Sequence, residues 1–72
     1  MNMEVERFVT VKVTTEYCGQ HCYRVTVAVD GRIEESFPAT VLTVGKIRNR
    51  ACERWAEVAD AVEANEIPRY GI

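Results

Sequence analysis

No apolar run in this chain approaches the roughly 18 residues that a membrane-spanning helix requires. The opening residues, MNMEVERF, lack a basic segment followed by an apolar one, so no secretion signal is expected. Charge of one sign is equally scarce: the net charge is −2 at pH 7, which gives no general attraction to phosphate backbones or anionic lipid. The sequence holds no glycine-rich phosphate loop and no G-x-S-x-G. It has one histidine, no internal repeat and no low-complexity segment. These absences remove the common hydrolase, nucleotide-binding and membrane layouts, and a protein without catalysis or cofactor is expected. Three cysteines are an odd number, and without a secretion signal they imply a reducing, cytoplasmic setting with free thiols.

What is present is globular: 47% hydrophobic and 28% charged residues in 72, enough for a single domain over residues 1–72. A chain of this size buries only about 60% of the surface that its unfolded form exposes, so its core is small. Residues 5–17 alternate with period two, the signature of a half-buried strand. Val5, Val9, Val11, Val13 and Tyr17 share one face with Arg7 and Thr15, and Thr10, Lys12, Thr14 and Glu16 share the other with Phe8. Residues 22–30 repeat the pattern with Tyr23, Val25, Val27 and Val29 turned inward. A third strand is expected over 32–37, with Ile33 and Phe37 inward and Pro38 ending it, because proline cannot donate to a ladder.

Parity fixes the pairing, since a one-residue slip turns every side chain to the wrong face. Tyr17 should face Tyr23, Val13 should face Val27 and Val11 should face Val29. That register places Cys18 opposite Cys22, with Gly19, Gln20 and His21 connecting them. At Asp30-Gly31 the same rule calls for a bulge or a third loop residue, and it turns Glu35 to the inner side. From about residue 41 to 64 the period changes: Val44, Ile47, Ala51, Trp55, Val58 and Val62 form one stripe of an amphipathic helix. Thr40 or Thr43 would cap its start, Asn65 and Pro68 would stop it, and residues 65–72 form an irregular tail. The expected fold is α+β: a three-stranded antiparallel β-meander packed on one long C-terminal α-helix, β-β-β-α. Its core includes Val11, Val27, Ile47, Trp55 and Val58. The long free edge of the first strand is the expected seam of a two-fold homodimer.

The stretch YCGQHCY has the most obvious chemical potential. Cys18, His21 and Cys22 supply three zinc-type ligands, but the only remaining cysteine, Cys52, lies in mid-helix, away from a hairpin tip. A catalytic dithiol prefers a helix start, where the dipole lowers the thiol pKa, and a hairpin offers none. A Cys–His nucleophile would need an orienting third group and an oxyanion hole. The reading is therefore a turn, with no metal.

Charges on the helix are more informative. Lys46, Arg48, Arg50 and Arg54 crowd the first half, and Glu53, Glu57, Asp60, Glu63 and Glu66 crowd the second half and the end. That order opposes the helix macrodipole. It suggests a bipolar helix docking onto another protein, with Lys46, Arg50, Glu53, Arg54 and Glu57 as the binding residues. Arg50 with Glu53, and Arg54 with Glu57, have the spacing of helix-surface ion pairs. Nucleic acid ranks below protein as the partner. Arg7, Lys12, Arg24 and Arg32 could meet phosphates, yet acids share the outer sheet face and only Phe8 could stack there. In size and plan the chain resembles small phage-encoded inhibitors, some anti-CRISPR proteins among them, and the β-β-β-α antitoxins. That resemblance implies an inhibitor or adaptor, with a nucleic-acid-associated regulator as the alternative.

Protein purified without chelator should contain less than about one zinc per two chains, because a structural site would retain its metal tightly. Stoichiometric zinc that disappears in Cys22→Ser would reverse the reading of the hairpin.

Overall fold

The computed structural model describes residues 8–68. The expected strand residues Val5 and Arg7, and the last four residues of the tail, lie outside them. The chain forms β1 (Thr10–Gly19), β2 (Cys22–Val29), β3 (Arg32–Thr40), α1 (Val44–Ala56) and β4 (Ala61–Ala64). One four-stranded sheet has the order β3-β2-β1-β4, with β4 parallel to β1 and the other pairs antiparallel. No helix among the described residues is long and apolar enough to cross a membrane.

The β1–β2 register is the one that parity predicts: Val11 faces Val29, Val13 faces Val27, and Tyr17 faces Tyr23. The two tyrosine rings meet edge to face at 5.4 Å. The tip differs from expectation. Gly19, not Cys18, pairs with Cys22, and the register shifts between Tyr17 and Gly19. Gln20 and His21 alone make the turn, both left-handed at φ 49 and 63°. Such primed two-residue turns match the twist of the strands they join, and the extra residue is taken up as a bulge at Cys18.

At the second turn Asp30 and Gly31 are both left-handed, φ 51 and 83°, and Val29 pairs with Arg32. A bulge then restores the expected parity, so that Val27 faces Glu35 and Val25 faces Phe37. It comes after Ile33, which pairs with Ala28 and is 67% exposed rather than inward. Pro38 does not end the strand, which continues to Thr40. β3 lies at the sheet edge, where a missing N–H can face away from the ladder.

The largest correction concerns the helix. It has 13 residues, starts at Val44 after Thr43, and closes at Glu57. Thr43 is the N-cap residue, one of the two expected caps, but its side chain makes no cap hydrogen bond. It serves the preceding turn instead, its Oγ1 accepting the backbone N–H of Thr40 at 2.9 Å. Past Ala56 the amphipathic spacing continues in the sequence but not in space. Val62 satisfies two templates: it extends the helical stripe, and with Ala64 it also fits one face of a short strand whose other face carries Glu63. The unpaired edge of β1 selects the second. Asp60 and Ala61 both donate from the backbone to Val9 O, at 3.0 and 3.3 Å, and β4 pairs Thr10 through Val13 of β1. Nothing between Glu57 and Asp60 is glycine or proline, so no local signal marks this stop. Val58, expected in the core, is 65% exposed because it falls in the connecting turn. With β4 in place the outer edge of β1 is occupied from Thr10 to Val13, so the expected dimer seam is not open along that stretch.

Val11, Val13, Val25 and Val27 are fully buried and form the floor on which Val44 and Ala51 of α1 rest. Ile47 and Trp55 pack against this core while remaining half-buried. Thr15 sits among the valines at 2% exposure, and its Oγ1 has no hydrogen-bond partner among the described residues. An orphaned buried hydroxyl costs about 1–3 kcal/mol, whereas an apolar group of the same shape does not carry that penalty. Thr15→Val should therefore raise stability by about 1 kcal/mol in urea unfolding. A loss instead would mean that the hydroxyl finds a partner in solution.

Candidate binding surface

Helix α1 covers one face of the sheet and turns its charged residues outward. Its composition differs from the bipolar expectation, since Asp60, Glu63 and Glu66 lie beyond its end. What remains is Lys46, Arg48, Arg50 and Arg54 against Glu53, a net +3 in a chain of net charge −2. Arg54 stands in the last turn, where a cation suits the dipole, and Glu57 is the C-cap. The order of charges along the helix is thus less opposed to the macrodipole than the sequence implies.

Two of the four cations are committed inside the fold. Arg54 Nη1 donates to Glu35 Oε2 at 2.9 Å, and Trp55 Nε1 donates to Glu35 Oε1 at 2.7 Å. Glu35 is the acid that parity turned inward, and its side chain is 19% exposed against 68% for Arg54. One carboxylate of β3 therefore holds two consecutive residues of α1. Arg48 reaches the segment after β4, donating from Nη1 to Asn65 O at 3.2 Å and from Nη2 to Asn49 Oδ1 at 3.0 Å. The spacing-based pairs Arg50–Glu53 and Arg54–Glu57 form no ion pair; Arg54 uses Glu35 instead, and Arg50 has no partner among the described residues.

The five residues expected to bind a partner are distributed unequally. Arg50 and Arg54 wall a niche of about 310 Å³ between α1 and β3, floored by Phe37 and Ile47. A second niche of about 420 Å³ shares Arg54 and is completed by Trp55, Glu57 and Val58. Lys46 lies at the helix start, on a separate groove of about 610 Å³ with Val41, Leu42, Arg48, Glu66 and Ile67. Leu42 there is 91% exposed. Glu53 is exposed and lines none of these three. Strand alternation and helical spacing turn Phe37 and Ile47 inward as packing residues. Their second role follows from the helix crossing beside an edge strand, which leaves both half-covered.

At the hairpin tip Cys18, His21 and Cys22 are all exposed, and Cys52 is half-buried on α1. Among the described residues no three His, Cys, Asp or Glu side chains gather closely enough to hold a metal ion. Compared with protein-family models, curated proteins and solved structures, the chain matches none.

The Glu35 clamp is testable. Hydrogen bonds to a charged group are worth about 1.5–3 kcal/mol, reduced here by the exposure of Arg54. Glu35→Ala should cost about 1.5–2 kcal/mol in unfolding followed by the single tryptophan, Trp55. Glu35→Gln, which keeps an acceptor for the indole, should lose less. Equal losses would assign the effect to the carboxylate's charge on Arg54 and leave nothing to the indole hydrogen bond or to packing.

Proposed function

We propose that the protein acts by binding another protein, as an inhibitor or adaptor and not as a catalyst. The observation that carries this reading is the exposed Arg50 beside the half-buried Phe37 and Ile47. An unpaired guanidinium at the rim of an apolar hollow is the arrangement from which protein interfaces draw affinity. Arginine is enriched at their hot spots, and apolar anchors fill the pockets beside it.

Nucleic acid is less well supported. Its affinity comes from several cations reaching phosphates together. On α1 only Lys46 and Arg50 are uncommitted, since Arg48 and Arg54 are engaged within the fold. The open sheet face carries Lys12 and Arg24, but Glu16 and Glu63 stand on the same face.

The test uses Lys46→Glu with Arg50→Glu. Arg54 is left intact, because reversing it would set two carboxylates against each other at Glu35. Both substituted sites are exposed, so stability should change by no more than about 0.5 kcal/mol. A pull-down from a lysate of the source cells should recover a partner that resists nuclease and is lost with the double variant. Capture that vanishes on nuclease treatment, together with binding to random DNA or RNA that falls steeply with salt, would assign the protein to nucleic acid instead.

A further inference from the structure

We infer that the niche between α1 and β3 receives an acidic segment of a partner protein, seating one apolar side chain on Phe37 and Ile47 with a carboxylate on Arg50. The inference rests on the protein-binding reading above and adds the chemistry of the partner.

Four observations converge on this occupant. The floor is apolar and half-covered, so a side chain placed there removes water from both Phe37 and Ile47. The volume, about 310 Å³, stands at the lower end of ligand pockets, which run from about 300 to 1,000 Å³. It suits one large side chain better than a whole ligand. Both walls are cationic, and they differ: Arg54 is oriented by Glu35, whereas Arg50 has no partner among the described residues. An incoming carboxylate therefore gains most at Arg50, where it can accept two parallel hydrogen bonds. Finally, Glu57 lines the adjoining niche, beyond the shared Arg54. It repels an acid there, so the segment has a preferred direction, with its acidic end toward Arg50.

Recognition runs through side chains and not through strand addition, although the niche lies beside an edge strand. Pro38 has no N–H to offer on β3, and the Thr40 N–H is already donated to Thr43 Oγ1. Both features blunt an edge against pairing.

The experiment follows backbone amide NMR signals of the full chain during titration with acetyl-Asp-Glu-Phe-Glu-Asp-amide. Saturable shifts should appear at Phe37, Ile47, Arg50 and Arg54, with a change in Trp55 emission. Arg50→Glu should weaken binding about tenfold, because it sets a like charge opposite the peptide acid. Affinity should fall severalfold between about 0.05 and 0.5 M salt as the Debye length shrinks. Replacing the peptide's phenylalanine by glycine, or its acids by lysine, should abolish the shifts. Equal binding of the lysine peptide, or no shifts at the niche at millimolar peptide, would overturn the inference. So would random RNA that shifts the same amides more strongly, or a doubled mass in light scattering that occludes them. Peptide shifts confined to the groove around Leu42 would overturn this niche and leave the protein-binding reading standing; nuclease-sensitive capture would overturn that reading itself.

Discussion

The buried half of β1, through Thr15, must be hydrogen-bonded along both of its edges, and most of the architecture answers that requirement. It carries Val11, Val13 and Thr15, the deepest residues of the core together with Val25 and Val27 of β2. Buried next to it, an open row of N–H and C=O groups would be costly. β2 satisfies one edge by the register that the alternation dictates. The other is closed in three pieces. Asp60 Oδ2 accepts the Val9 N–H at 2.7 Å, β4 pairs the next four residues, and Asn65 finishes the row. The Asn65 side chain accepts from Thr15 N at 2.6 Å and donates to Thr15 O at 3.2 Å, so an amide side chain stands in for one more residue of strand. Arg48 then binds Asn65 O, tying the closure to the helix.

That closure explains why α1 is short. A helix continued through residue 64 would have left β1 bare beyond β2, and a four-residue parallel strand is enough to prevent it. The helix consequently carries the chain from the β3 edge to the β4 edge. It keeps its basic residues and loses most of the acids that follow them in the sequence. The charge asymmetry of the surface is thus a by-product of where the sheet needed a fourth strand.

Glu35 links this architecture to the candidate site. A carboxylate on the covered face of a sheet is costly unless it is paired and hydrogen-bonded. Here the cost is offset by two consecutive helix residues, Arg54 and Trp55. The same contacts hold the last turns of α1 beside β3 and leave Arg50, one turn earlier, free at the rim. The clamp and the niche are therefore one structural unit: a fixed cation, a free cation and an apolar floor, all referred to the same edge strand.

Period-two alternation determined the first two strands, their register, the inward position of Glu35 and the need for a bulge after Asp30-Gly31. These depend on neighbours within a hairpin, where side-chain parity leaves little choice. The helix and the cationic run from Lys46 to Arg54 were legible for the same reason, helical periodicity being local, whereas either Thr40 or Thr43 could cap the helix start. The helix end was not, because Val62 fits both a helical stripe and a strand, and no glycine or proline separates them. Only the unpaired edge of β1, distant in sequence, decides between the two. The niche was hidden in the same way. Arg50 and Arg54 could be named from their spacing, but the sequence offered Glu53 and Glu57 as partners. Tertiary structure brought Glu35 to Arg54 and left Arg50 beside Phe37, because an edge strand and a helix meet there only after the whole sheet has been ordered.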